Sequence, residues 1–310
     1  MTTLLYTHEL CLGHDTGPGH PENPDRLLAV WHALEGEAFA PLVRLEAPRA
    51  SPQEILRAHS ELYLAQVMNA QPAEGERIHL DPDTVLSHGS WEGQLRCIGA
   101  TNAAIDAVKA KQGDNAFCAV RPCGHHAERD RAMGFCIFNF AAIGALYARD
   151  EAGFGRVALV DFDVHHGNGS QHILWDEPGM FYASTHEAHH YPNTGYAHET
   201  GLQAEVVNVP LPAGSGSNAF RQAYEGTILP ALTAFQPDII LISAGFDAHA
   251  ADPLADLMLT AEDFAWITRK LMAVADATCE GRIVSFLEGG YDLRALADSS
   301  AAHVLALMGR

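Results

Sequence analysis

The chain has 310 residues, 47% of them hydrophobic, with 39 acidic against 19 basic side chains and a formal charge of −20. That length and composition describe a globular chain of one large or two smaller domains. The negative surface repels phosphate backbones and argues against nucleic acid as a partner, and no run approaches the ~20 apolar residues of a membrane span.

Taken in chain order, the apolar run 3–7 predicts a first strand. Asn23-Pro24 predicts a helix start, an N-cap followed by proline at the first helical position. Ser51-Pro52-Gln53-Glu54 repeats that signal with an acid three residues after the serine. Helical patterns cover 92–111, 136–149 and 218–235. Thr260-Ala261-Glu262-Asp263 opens another helix, running to about 279. Between these lie apolar runs at 116–120, 156–161, 180–184, 205–209, 238–243 and 282–287, continuous rather than alternating, as strands covered on both faces should be. The alternation predicts a mostly parallel sheet in a three-layer α/β fold, whose ligands bind beyond the carboxyl ends of the strands.

The six cysteines, at 11, 97, 118, 123, 136 and 279, form no Cys-x-x-Cys and sit mostly in apolar surroundings. They read as reduced thiols. With an N-terminus that lacks a basic segment and a long apolar core, the expected location is the cytoplasm.

Four polar clusters follow four of the apolar runs. They are Arg-Pro-Cys-Gly-His-His-Ala at 121–127, Asp-Phe-Asp-Val-His-His-Gly-Asn-Gly at 161–169, Ala-Gly-Phe-Asp at 244–247 and Glu-Gly-Gly-Tyr at 288–291. Asp163 and His165, two apart, share one side of an extended segment. With Asp247 they make two carboxylates and one imidazole, a three-ligand set that leaves a position open, as in catalytic zinc sites. A single Asp-x-His more often caps a helix or pairs with an arginine; three clusters at matching strand ends favour the metal. His125 and His126 are either core histidines or a proton relay. Asp161 and Asn168 are available as acceptors behind the two rings, and a carboxylate behind one with an amide behind the other would push their pKa values apart. Tyr291, after two glycines, is either a buried core phenol or a donor to a substrate carbonyl.

These clusters, together with Gly19-His20-Pro21-Glu22-Asn23-Pro24-Asp25-Arg26-Leu27 and Met133-Gly134-Phe135-Cys136-Ile137-Phe138-Asn139, resemble the histone deacetylase family. The match is closest to its bacterial class II-like branch of histone-deacetylase-like and acetylpolyamine amidohydrolases. The resemblance covers nearly the whole chain and implies one catalytic domain over 1–310. It implies the arginase–deacetylase fold, an eight-stranded parallel sheet flanked by helices. By this resemblance Asp163, His165 and Asp247 hold Zn²⁺, and His126 is general base and then general acid. His125 stays positive, Tyr291 steadies the tetrahedral oxyanion, and the Gly134 carbonyl accepts the substrate amide N–H. Phe135 and Tyr191 wall a narrow acyl-lysine tunnel with Leu254 at its rim. K⁺ is implied near Asp161, Asp163, His165, Ser184 and Thr185, largely through carbonyls.

Three features bear on the family pattern, one of them Asn168, the amide found in class II-like members where class I has aspartate. Cys123 stands where proline or glycine is usual; it reads as a small buried hydrophobe, the alternative being an oxidisable thiol beside the site. Thr185-His186-Glu187 replaces a more frequent Leu-His or Ile-His. His186, His189 and His190 read as a mouth loop rather than a second metal site, and Asp83 as a contact to substrate backbone.

The implied substrates are acyl-lysine proteins or peptides, or small acylated amines. A homo-oligomer is compatible with the sequence. The alternatives are an acetylpolyamine hydrolase, a binuclear Mn²⁺ ureohydrolase, for which the chain lacks a second dense carboxylate set, and a non-catalytic sensor of acetylated ligands.

Overall fold

The computed structural model describes all 310 residues. Its strands are β1 (Thr3–Thr7), β2 (Val43–Glu46), β3 (Arg77–His79), β4 (Val85–Ser87), β5 (Asn115–Cys118), β6 (Val157–Asp161), β7 (Met180–Glu187), β8 (Val206–Leu211), β9 (Ile239–Ala244) and β10 (Ile283–Leu287). Eight of them form one sheet in the order β2-β1-β5-β10-β9-β6-β7-β8, and every pairing in it is parallel. β3 and β4 make a separate antiparallel hairpin. The strands β5, β6, β9 and β10 are buried at every position, which is why their sequences are unbroken apolar runs.

The helices are α1 (Pro24–Ala33), α2 (Glu61–Asn69), α3 (Ser90–Lys109), α4 (Phe140–Asp150), α5 (Asn168–Leu174), α6 (Ser217–Ala223), α7 (Leu229–Phe235), α8 (Ala261–Thr278) and α9 (Leu293–Leu307). They flank the sheet, α9 packing against both α8 and α1, and α3 against α4. This is the three-layer, mostly parallel arrangement expected of the arginase–deacetylase architecture.

The helix starts follow their capping signals. The Asn23 side chain accepts the Asp25 N–H, and Thr260 and Asp263 form a reciprocal capping box. Three boundaries differ from the sequence reading. The Ser51-Pro52 signal opens only a short 3₁₀ helix, Pro52–Arg57. The pattern over 136–149 becomes helical only at Phe140, because Asn139 caps it by accepting the Ala142 N–H at 2.9 Å. The 218–235 stretch is broken by a π turn at Tyr224–Ile228; Pro230 has no N–H to continue a regular ladder through that turn. The sequence reading lacked β2, the β3–β4 hairpin, α2, α5 and α9.

The Gly-His-Pro-Glu block near the N-terminus supports the site from beneath. Glu22 accepts a bidentate pair from Arg121, at 2.8 and 2.6 Å, and a third hydrogen bond from Arg26 at 3.2 Å. All three side chains are buried. Burial alone would raise the Glu22 carboxyl, but the Arg121 guanidinium outweighs it and holds the group well below the usual carboxylate range. The stabilisation is therefore present above the unfolded value of about 4.3 and is lost as pH falls through the lower folded value. Glu22→Ala leaves two buried guanidinium groups without their anion and is expected to lower unfolding stability by about 3–5 kcal/mol. Urea titration of both proteins checks this; a loss within error of zero would show that the network contributes nothing.

Candidate active site

The four polar clusters follow β5, β6, β9 and β10, and these are four adjacent strands in the centre of the sheet. Parallel pairing puts all four carboxyl ends on one edge, so residues far apart in sequence converge there. Asp163, His165 and Asp247 bring one donor atom each within 4.8 Å of one another. His165 Nδ1 lies 3.1 Å from Asp163 Oδ1 and 3.1 Å from Asp247 Oδ2. Backbone geometry makes room for the carboxylates. A Cβ on Gly245 would collide with Asp163, and one on Gly289 with both Asp163 and Asp247.

The donor set fits a divalent cation. Both carboxylates are buried, and burial and then the neighbouring Asp163 push Asp247 up to about 7. Burial would lower His165, yet its hydrogen bonds to Asp163 and Asp247 raise it to about 10. Two buried anions converging on one imidazole form a strong field for positive charge, and two oxygens with one nitrogen match the ligand types of catalytic zinc.

The paired histidines are held differently. His125 Nδ1 donates to Asp161 Oδ2 at 3.0 Å, and the same oxygen accepts the Tyr182 hydroxyl at 3.2 Å. His126 Nδ1 donates to Asn168 Oδ1 at 2.9 Å. The amide is oriented by its other end, since Asn168 Nδ2 donates to Glu128 Oε1 at 2.7 Å. Burial would lower His125, but Asp163 and Asp161 raise it well above the ordinary histidine value. Burial, and then the His125 charge, holds His126 well below it. The two shifts are opposite: the carboxylates favour the charged form of His125, and burial favours the neutral form of His126, whose Nε2 then carries the lone pair.

A cavity of about 380 Å³ opens above these groups, with His126, His165, Gly134, Phe135, Tyr191 and Tyr291 on its lining. Leu254, Asp83, His20 and His190 line it as well. His125 lies beneath His126 rather than on the wall, its ring centroid 4.0 Å away. The Phe135 ring meets Tyr291 edge-on at 5.8 Å, and Tyr191 meets His126 edge-on at 5.1 Å. Burial, followed by Cys123 and Asp247, raises the Tyr291 phenol well above its usual value, so it keeps its proton and acts as a donor.

Several supporting residues were not recognised in the sequence. Arg26 donates to the carbonyls of Gly290 at 2.6 Å and Glu288 at 2.5 Å, and its guanidinium stands 4.9 Å from the Tyr291 ring centroid. Glu288 accepts the N–H of Gly124 at 2.7 Å and so ties the histidine segment to the tyrosine segment. Asp252 accepts the N–H groups of Tyr291 and Leu254 at 2.7 and 3.0 Å. Each is an acid or base, Arg26 on α1 and the other two in glycine-rich or turn segments, whose burial is not readable from residue type.

One expectation changes. The mouth loop includes His190 but not His186, which is buried, bonded to Ser184 Oγ at 2.9 Å and to the Gly195 carbonyl at 2.9 Å. Ser184 does lie beside Asp161 in the β6–β7 register, while the Thr185 hydroxyl donates to Tyr224 at 3.3 Å. Cys123 is buried in a small cluster with Ala127 and Cys136.

Residues 20–307 match the family described as the histone deacetylase domain. The chain belongs to the histone deacetylase family. It is 37% identical to histone deacetylase 10, chloroplastic, of Oryza sativa, over 99% of this chain and 73% of that protein. It is 35% identical to the histone deacetylase-like amidohydrolase of Pseudomonas aeruginosa, over 93% of this chain and 81% of that protein. The crystal structure of the HDA15 HD domain superposes with a TM-score of 0.93 at 32% identity, covering 99% of this chain and 90% of that one. Family members carry the names deacetylase and amidohydrolase, which supports an amide-hydrolysing enzyme. No helix of the chain is long and apolar enough to cross a membrane.

Proposed function

We propose that this chain is a Zn²⁺-dependent deacylase that hydrolyses the amide of ε-acyl-lysine in proteins or of small acylated amines, working in the cytoplasm. The observation that carries the reading is a pair of imidazoles, one backed by the Asp161 carboxylate and the other by the Asn168 amide, beside an Asp-His-Asp donor set, all under a cavity that also presents a phenol. Asp163, His165 and Asp247 would hold the zinc. A zinc ion bound there supplies a Lewis acid that makes water nucleophilic at neutral pH and polarises the acyl carbonyl.

The remaining steps belong to side chains. His126 Nε2 takes the proton of the attacking water, and the imidazolium then returns it to the leaving amine. His125, kept positive by Asp161, stabilises the negative charge that develops in the pocket. Tyr291 donates its hydroxyl proton to the same oxyanion. Phe135 and Tyr191 clasp the alkyl stem of the substrate, and the Gly134 carbonyl accepts its amide N–H. Leu254 gives a neutral rim, favouring acyl-lysine over acetylated polyamines, whose free ammonium would seek a carboxylate there. A K⁺ ion bound near Asp161, Asp163, His165, Ser184 and Thr185 would brace the loop beneath the zinc.

The histidine roles lead to a pH test. The base works only when neutral, so the acidic limb of the rate profile marks protonation of His126. Because His126 is held low, that limb lies below the ordinary histidine value of about 6.5. His126→Ala is expected to lower kcat by at least about 10²-fold and to remove the limb. His125→Ala removes a neighbouring positive charge, so its limb persists and moves to higher pH. Profiles on an acetyl-lysine peptide, with zinc content measured for each variant, decide the matter. A limb that vanishes in His125→Ala and survives in His126→Ala exchanges the two roles.

A further inference from the structure

Directly behind the tunnel wall lies a pair of thiols that the hydrolytic reading does not use. Cys123 precedes Gly124 and the two histidines, while Cys136 closes the turn that carries Gly134 and Phe135. That turn is tight: Met133 and Cys136 exchange backbone hydrogen bonds of 3.1 and 2.9 Å, and both Gly134 and Phe135 sit at positive φ. The two sulfurs are 3.3 Å apart, and both thiols point at one acceptor, the Gly134 carbonyl, at 3.9 Å from Cys123 and 3.3 Å from Cys136. Both are free thiols.

We infer that Cys123 and Cys136 form a reversible disulfide under hydroperoxide, and that this bond switches the site off. The sulfurs need only close from 3.3 Å to the about 2.0 Å of a disulfide. Cys123 keeps 3% of its surface exposed and Cys136 none, so attack begins at Cys123. Cys123 Sγ lies 3.9 Å from the carbonyl of Gly134, which lines the catalytic cavity, and that cavity is the route by which a molecule as small as hydrogen peroxide arrives.

The chemistry balances with peroxide as the oxidant. The Cys123 sulfur attacks one peroxide oxygen, the O–O bond breaks, and the products are a sulfenic acid and one water. The Cys136 sulfur then attacks the sulfenic sulfur. The S–O bond breaks, the S–S bond forms, and the hydroxyl leaves with the Cys136 proton as a second water. Two thiols have lost two electrons and two hydrogens, and one peroxide has become two waters. A dithiol reductant reverses the bond by exchange.

The consequence for the site follows from the shared acceptor. Both sulfurs stand beside the Gly134 carbonyl, and bonding them draws the 133–136 turn toward the histidine segment. Gly134 packs on the His126 ring so closely that a Cβ there would strike it. A shift of the turn therefore reaches the base and the tunnel wall together.

The test uses the zinc-loaded protein treated with hydrogen peroxide in increasing amounts. Peptide mapping under non-reducing conditions is expected to find Cys123 linked to Cys136, with an intact mass lower by two hydrogens. Activity is expected to fall at least about tenfold, since a misplacement near 1 Å can cost about 10²-fold, and to return with dithiothreitol. Cys123→Ala and Cys136→Ala are expected to keep basal activity and to lose the dithiothreitol-reversible part of the inhibition. The mapping needs no turnover, so it stands even if the proposed substrate is wrong or a variant folds poorly. The inference fails if the bond is absent from oxidised wild-type protein, or if the alanine variants are inhibited reversibly to the same extent.

Discussion

His165→Ala is expected to leave purification without its metal and without turnover. A three-ligand site has no spare donor, and the imidazole is the one neutral ligand in it. Its loss leaves the buried carboxylates of Asp163 and Asp247 facing each other. Burial and Asp163 already push Asp247 up to about 7. Without the imidazole it would take a proton near neutral pH, and a protonated carboxyl is a poor ligand. Metal affinity is expected to fall by more than the about 10–100-fold that follows loss of a partner outside the ligand set. Asp247→Ala should behave alike, since it removes an anionic ligand and a side chain that accepts the Val164 N–H at 2.8 Å. Elemental analysis of the purified variants, with circular dichroism to show that they fold, is the check. One equivalent of zinc retained in His165→Ala would sink the ligand assignment.

Tyr291→Phe should separate binding from chemistry. The ring remains, with its packing on Phe135 and its place under the Arg26 guanidinium, so fold and metal content are expected to be unchanged. Only the hydroxyl is lost. The substrate carbonyl in its ground state needs the phenol little, whereas the oxyanion of the transition state needs it strongly, so the effect falls on kcat rather than on KM. The expected loss is about 10²–10³-fold, the range for one oxyanion donor. Because substrate still enters the cavity, a stable complex with an acyl-lysine peptide should be detectable by calorimetry. A kcat close to wild type would make Tyr291 a purely structural residue.

The two predictions rest on residues of unequal legibility. Asp163 and His165 are two apart on one segment, and spacing alone put them on one side. Asp247 is 82 residues beyond His165, and what joined it to them was its place in a polar cluster that follows an apolar run, as theirs does. The roles proposed for His125 and His126 depend on which acceptor stands behind which ring. Residue type showed that Asp161 and Asn168 were available, the resemblance paired them with His125 and His126 respectively, and the structure places each ring on that acceptor. Arg26, Glu22 and Glu288 were printed in the motifs but not read as a buried support. Charged residues are ordinarily solvated, and their burial is the outcome of packing among distant segments.

What the sequence determined by itself was local: which runs are apolar throughout and must be buried strands, where Asn23 and Thr260 stop one conformation and start another, and which residue types could bind a metal or move a proton. These follow from short-range sterics, capping and side-chain chemistry, and they are the same in any fold. What only the tertiary structure decided was adjacency. The strand order places β5, β10, β9 and β6 side by side, so four clusters spread over 170 residues of chain, from Arg121 to Tyr291, meet at one edge. That order is chosen by the total burial of the sheet faces and by parallel crossover connections, not by any one segment. The same long-range choice sets Cys123 against Cys136, lays Arg26 over Tyr291, and puts a carboxylate behind one of the adjacent histidines and an amide behind the other.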